Sequence, residues 1–118
     1  RRRFVSDREW RFYIDDMISF AERITQYTSG LNQAAFFATP LVHDATLRNL
    51  ELIGEAATHI PEHIRQSFLD IPWRQIIATR NQLIHGYLGI DADTVWSIIQ
   101  CDLPALLPAL RVLRDTSK

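Results

Sequence analysis

Residues 40–60 read PLVHDATLRNLELIGEAATHI, and the spacing of apolar side chains within them decides the fold. Leu41, Ala45, Leu52, Ala56 and Ile60 recur at helical intervals. Val42, Leu50, Ile53 and Ala57 flank them and widen the apolar stripe beyond what a single neighbour covers. The pattern predicts a long helix with partners on two sides. Thr39-Pro40 opens it as cap and first helical residue, and Pro61 closes it because the residue before a proline is pushed out of the helical region. Gly54 costs this helix roughly 1 kcal/mol against alanine. Its missing side chain is therefore expected to admit another helix at close range.

Towards the N-terminus, Ser6-Asp7-Arg8-Glu9 has the form of a capping box, with Ser6 as the cap and Glu9 reaching back to it. The helix that follows carries Trp10, Tyr13, Ile14, Met17, Ile18, Ala21, Ile24 and Tyr27 on one stripe, and Thr28-Ser29-Gly30 stops it. Residues 31–38 read as a short helical turn. Beyond Pro61 comes a short helix over 62–70. Ile71-Pro72 then opens a helix with Trp73, Ile76, Ile77, Arg80, Ile84 and Tyr87 on one side. A last helix starts at Asp91 and contains Pro104 and Pro108, so a bend or restart is expected around Asp102. Glycine is scarce and alternating strand patterns are absent. The expected fold is all-α: an up-and-down bundle of four main helices plus short ones, in a single domain spanning 1–118.

Composition narrows the function. Hydrophobic residues make up 47% and charged residues 23% of the chain, the balance of a globular domain. A net charge of −1 argues against a broad basic nucleic-acid surface, so any RNA contact must be local. The arginines at Arg1, Arg2, Arg3, Arg8 and Arg11 read as a solvated helix face. A single cysteine, Cys101, excludes an intramolecular disulfide and fits a reducing cytoplasm. No apolar run is expected to span a bilayer, and the arginine-rich start does not resemble a secretory signal.

The stretch Arg80-Asn81-Gln82-Leu83-Ile84-His85-Gly86-Tyr87 concentrates the chemistry. Arginine offers a fork of donors that matches a phosphate, and histidine moves protons near neutrality. On an ideal helix Arg80 and His85 diverge by about 140°. Either the helix ends near His85, aided by Gly86 and Gly89, or Arg80 swings around its edge. Among apolar neighbours Arg80 needs either a carboxylate, with Glu51 and Glu55 as candidates, or an anion site. Asn81 lies one turn before His85 and can orient the imidazole or hold a phosphate oxygen. RNA cleavage without a metal needs a base for the ribose 2′-OH, an acid for the leaving 5′-oxygen and a cation for the phosphorane. One imidazole cannot easily serve both sides of the phosphorus. A two-fold dimer would supply two copies of Arg80 and His85 to one cleft. Glu51, Glu55, His59 and His63 recur at four-residue intervals, but Pro61 breaks the register, so a solvated face is preferred to a metal site. Trp10, Trp73 and Trp96 fall on apolar stripes and read as packing residues.

The Arg-Asn-x-x-x-His-x-Tyr pattern resembles that of the HepT-like branch of the HEPN superfamily, small helical ribonuclease toxins paired with a nucleotidyltransferase antitoxin of the MntA type. Ile53-Gly54-Glu55-Ala56 resembles a family pattern too. The resemblance implies a homodimeric, metal-independent endoribonuclease without cofactor, acting on cellular RNA such as tRNA and leaving a 2′,3′-cyclic phosphate and a 5′-hydroxyl. It assigns Arg80, His85 and Asn81 to the catalytic site, with Glu55 in support, and makes Tyr87 the acceptor of AMP groups. The competing expectation is a non-catalytic helical module that docks onto the nucleotidyltransferase.

Overall fold

The structure, a computed structural model, describes residues 7–86 and 90–116, and all regular elements among them are helical. In chain order these are α1 (Asp7–Thr28), α2 (Gln33–Phe37), α3 (Pro40–Thr58), α4 (Glu62–Ser67), α5 (Trp73–His85), α6 (Ala92–Ser97), a π turn (Ile98–Asp102) and α7 (Leu103–Thr116). The expected cap Ser6 lies outside the described residues, as do Arg1, Arg2, Arg3, Tyr87 and Gly89.

As its two-sided stripe requires, α3 is the centre of the bundle, with α1 against one side and α5 against the other; α7 closes over α1. Tyr13, near the start of α1, stacks on His59 at the end of α3, so these two helices run in opposite senses. Arg111 pairs with Glu22 at 2.8 Å across the α1–α7 seam. The core joins Trp10, Ile14, Met17 and Ile24 of α1 to Ile53, Ala57 and Ile60, with Leu110 and Leu113 from α7. Phe36, fully buried, meets Phe37, His43 and Trp96 and so locks α2 between α3 and α6.

Helix ends follow local chemistry. Gly30 takes a φ of 78° where α1 stops, and Gly86 a φ of 68° where α5 stops, conformations glycine adopts without the Cβ penalty. Asn32 caps α2 by accepting from Ala35 N at 2.8 Å. Asp91 caps α6 through Thr94 N at 2.9 Å, and that hydrogen bond, with one from the Thr94 hydroxyl, holds its carboxyl below the usual range.

Several expectations need correction. Thr39 occupies the cap position of α3 but its hydroxyl donates back to Ala35 O at 2.8 Å, leaving Pro40 to open the helix without a side-chain cap. Leu41 is 84% exposed, because the buried face of α3 runs through Thr46, Leu50, Ile53 and Ala57 instead. At the end of α1 it is Thr28 that is buried, donating to Ile24 O, whereas Tyr27 faces outward. The restart near Asp102 takes the form of a π turn. Leu103 N bonds Ile98 O, five residues back, and this wider turn absorbs the donor that Pro104 lacks. Contrary to the bilayer expectation, the continuous helix over 92–116 is long and apolar enough to cross a membrane by length and composition. Its apolar residues Val95, Ile99, Leu103, Leu106, Leu110 and Leu113 are buried in this bundle.

A cleft of about 220 Å³ separates α5 from the π turn and α7, floored by Leu50 and Ile53 and edged by Cys101.

Candidate active site

Gly54 determines where α5 crosses α3. A Cβ built on Gly54 would sit 2.1 Å from Arg80 Cβ and 3.0 Å from the Ile76 carbonyl, so the two backbones approach more closely than any side chain at position 54 allows. This contact delivers Arg80 to the neighbouring carboxylate: Arg80 Nη2 donates to Glu55 Oε1 at 2.6 Å. Of the two candidate partners Glu55 is the one used, while Glu51 pairs with Arg48 at 3.3 Å. Arg80 Nη1 donates to Asn81 Oδ1 at 2.8 Å. The side chain of Arg80 stays 26% exposed and that of Glu55 48% exposed. A pair this open contributes about 1 kcal/mol or less to stability. Its main effect is to hold the guanidinium in one direction. Two of its five N–H groups are engaged by Glu55 and Asn81, and the buried Nε has no acceptor among the described residues.

His85 occupies the last residue of α5, exposed, immediately before Gly86 turns the chain with Gly86 N bonded to Gln82 O at 3.1 Å. Of the two arrangements weighed for the motif, the helix does end at His85. Asn81 is exposed one turn earlier, and its amide oxygen is turned towards Arg80. The expected apolar side of α5 is shallower than its pattern implies: only Trp73 is buried, and Ile84 is 47% exposed. Tyr87, the acceptor expected from the resemblance, lies outside the described residues.

Sequence reasoning missed two further members of the network. His59 Nε2 lies 3.6 Å from Glu55 Oε2, and its ring stacks on Tyr13 with centroids 4.5 Å apart. The signal was present in the four-residue step from Glu55 to His59, which the metal-ladder question had absorbed. Among the described residues no group of three or more His, Cys, Asp or Glu side chains is arranged to hold a metal ion. Glu51 and Glu55 turn to different arginines.

The bundle is a small all-α domain that carries Arg80, held by Glu55 and Asn81, and the exposed terminal His85 on one helix. A family model described as Ribonuclease HepT-like matches residues 17–113, and the chain belongs to that family, within the HEPN superfamily. Probable ribonuclease HepT of Thermococcus cleftensis is 32% identical over 107 residues, covering 91% of this chain and 97% of that protein. "Putative RNase TTE0752" of Caldanaerobacter subterraneus is 30% identical over 108 residues, covering 92% and 96%. "Putative RNase MJ1380" of Methanocaldococcus jannaschii is 29% identical over 109 residues, covering 92% of this chain and all of that protein. No solved structure matches.

Proposed function

We propose that this chain is the ribonuclease toxin of a toxin–antitoxin pair, a metal-independent endoribonuclease whose working site is a cleft shared by two protomers. The observation that carries this reading is the oriented, part-exposed Arg80 guanidinium on the helix that ends at exposed His85. In the reaction one His85 takes the ribose 2′-OH proton as the 2′-oxygen attacks phosphorus. The other His85, protonated, gives its proton to the departing 5′-oxygen. Arg80, with donors beyond those engaged by Glu55 and Asn81, stabilises the dianionic phosphorane, and Asn81 keeps the guanidinium aimed. The products are a 2′,3′-cyclic phosphate and a 5′-hydroxyl, and the substrate is cellular RNA, with tRNA as the first choice. A nucleotidyltransferase antitoxin silences the enzyme by transferring AMP to Tyr87, which adds negative charge and bulk beside the cleft.

The test is incubation of the purified protein with tRNA in EDTA, beside His85→Ala and Arg80→Ala. Cleavage by the unmodified chain and its loss in both variants is the expected result. No cleavage, or cleavage indifferent to both changes, rejects the enzyme and favours the non-catalytic docking module, for which the Glu55–Arg80 pair would be purely structural. For Tyr87 the measurement is intact mass after exposure to the partner enzyme and ATP. A mass that stays unchanged, or rises equally in Tyr87→Phe, removes the modification.

A further inference from the structure

Arg74, Ala78, Asn81 and His85 follow one another at intervals of four, three and four residues, which places them within about 60° of one another around the α5 axis. All four are exposed, and the stripe they form is about 16 Å long. Beside it runs a groove of about 690 Å³ between α4 and α5, bounded by Arg65, Leu69, Arg74, Gln75 and Asn81. The acid in this groove is already spoken for. Glu62 takes Arg65 at 3.2 Å on one oxygen and Gln66 at 2.7 Å on the other. Arg74 has no carboxylate within ion-pair distance among the described residues, so the uncommitted charge of the groove is a cation. Leu69, 73% exposed, gives the rim an apolar surface.

We infer that this groove is a subsite for single-stranded RNA flanking the bond that is cut, with Arg74 binding a phosphate upstream or downstream of the one at Arg80 and His85. The inference rests on the ribonuclease reading above and deepens it. A strand lying at His85 and Asn81 is led by the register of α5 towards Arg74, and Leu69 offers a face to a ribose or base. With a net charge of −1 the protein has no broad basic surface, so one well-placed guanidinium on a continuous track is the economical way to hold a flanking phosphate.

The experiment uses the full chain carrying His85→Ala, to prevent cleavage, and a mixed-sequence single-stranded oligoribonucleotide followed by fluorescence anisotropy across a range of salt. Adding Arg74→Gln is expected to weaken binding about tenfold, the loss of one charge-assisted contact. It should also make the plot of log affinity against log salt shallower by about 0.7. Arg23→Gln, an exposed arginine on α1, serves as the control that leaves both unchanged. In the cleaving protein Arg74→Gln should raise KM and leave kcat near that of the parent. If wild type cleaves and His85→Ala does not, yet Arg74→Gln alters neither affinity nor salt slope, the subsite is wrong and the ribonuclease reading stands. A changed assembly mass in Arg74→Gln, with RNA affinity intact, would reassign the stripe to a protein contact and overturn the proposal. Absence of both RNA binding and cleavage in the wild type overturns the subsite and the reading together.

Discussion

Replacing Gly54 with alanine would put a methyl carbon 2.1 Å from Arg80 Cβ, and neither backbone can retreat without opening the α3–α5 contact. Helix propensity alone favours that replacement by about 1 kcal/mol, whereas overpacking costs about 1–3 kcal/mol or more. The clash should win: Gly54→Ala lowers the thermal midpoint, and a raised midpoint would refute the close crossing. Glu55→Gln tests the neighbouring contact, since glutamine keeps an acceptor for Arg80 and gives up the charge. Its stability should stay within about 1 kcal/mol of the parent by denaturant titration, while RNA cleavage falls if the charge is what aims the guanidinium. That Arg80 needs a carboxylate or an anion site was legible in the sequence; which of these it meets, and through which glutamate, was not. Glu51 and Glu55 lie one turn apart on the same face, so only the height of the crossing separates them. That height is set by a glycine whose partner is remote in the chain.

At the scale of single helices, start and stop signals were legible wherever a residue acts alone. Gly30, Gly86 and Asp91 do locally what their chemistry dictates, whereas α3 stops at Thr58, short of the end expected from Pro61. Gly86→Ala should destabilise the protein by about 1–2 kcal/mol through its φ of 68°, because the nearest foreign atom to a new Cβ is an unstrained 3.9 Å away. For Asp91 the sign is set by its lowered carboxyl pKa: the cap's contribution is present above the ordinary value of 3.8 and disappears as pH falls through the lower folded-state value. Thermal melts of Asp91→Asn, whose cap does not titrate, should therefore change less than those of the parent over that acid range. An equal response in both proteins would disprove the coupling. Less legible was which part of a wide apolar stripe faces inward. Leu41 fits the period of α3 but lies around the helix from buried Thr46, Leu50, Ile53 and Ala57, and periodicity does not say which edge of a wide stripe the neighbours cover. The π turn was foreseen only as a break near Asp102, since a proline announces a missing donor without saying how the preceding turn will compensate.

For the whole molecule, the arrangement of α1, α3, α5 and α7 around a shared core was readable from stripe widths and short connections. Pooling of two sites is a property of an assembly, and it makes a quantitative forecast. If both copies of His85 serve one cleft, co-expressing wild type with His85→Ala in equal amounts leaves roughly a quarter of the activity, since only pairs with two intact chains cleave. A fall to roughly half would mean that each chain works alone. The members of the site that escaped notice, His59 and Tyr13, are joined through tertiary contact between α1 and the end of α3, and no spacing within either helix reveals that stack. The lone exposed sulfur of Cys101 has a practical consequence. Positioned at the lip of the cleft between α5 and the π turn, it is a unique address for a maleimide dye, and emission from that dye would report in real time whether α5 shifts when an RNA is added.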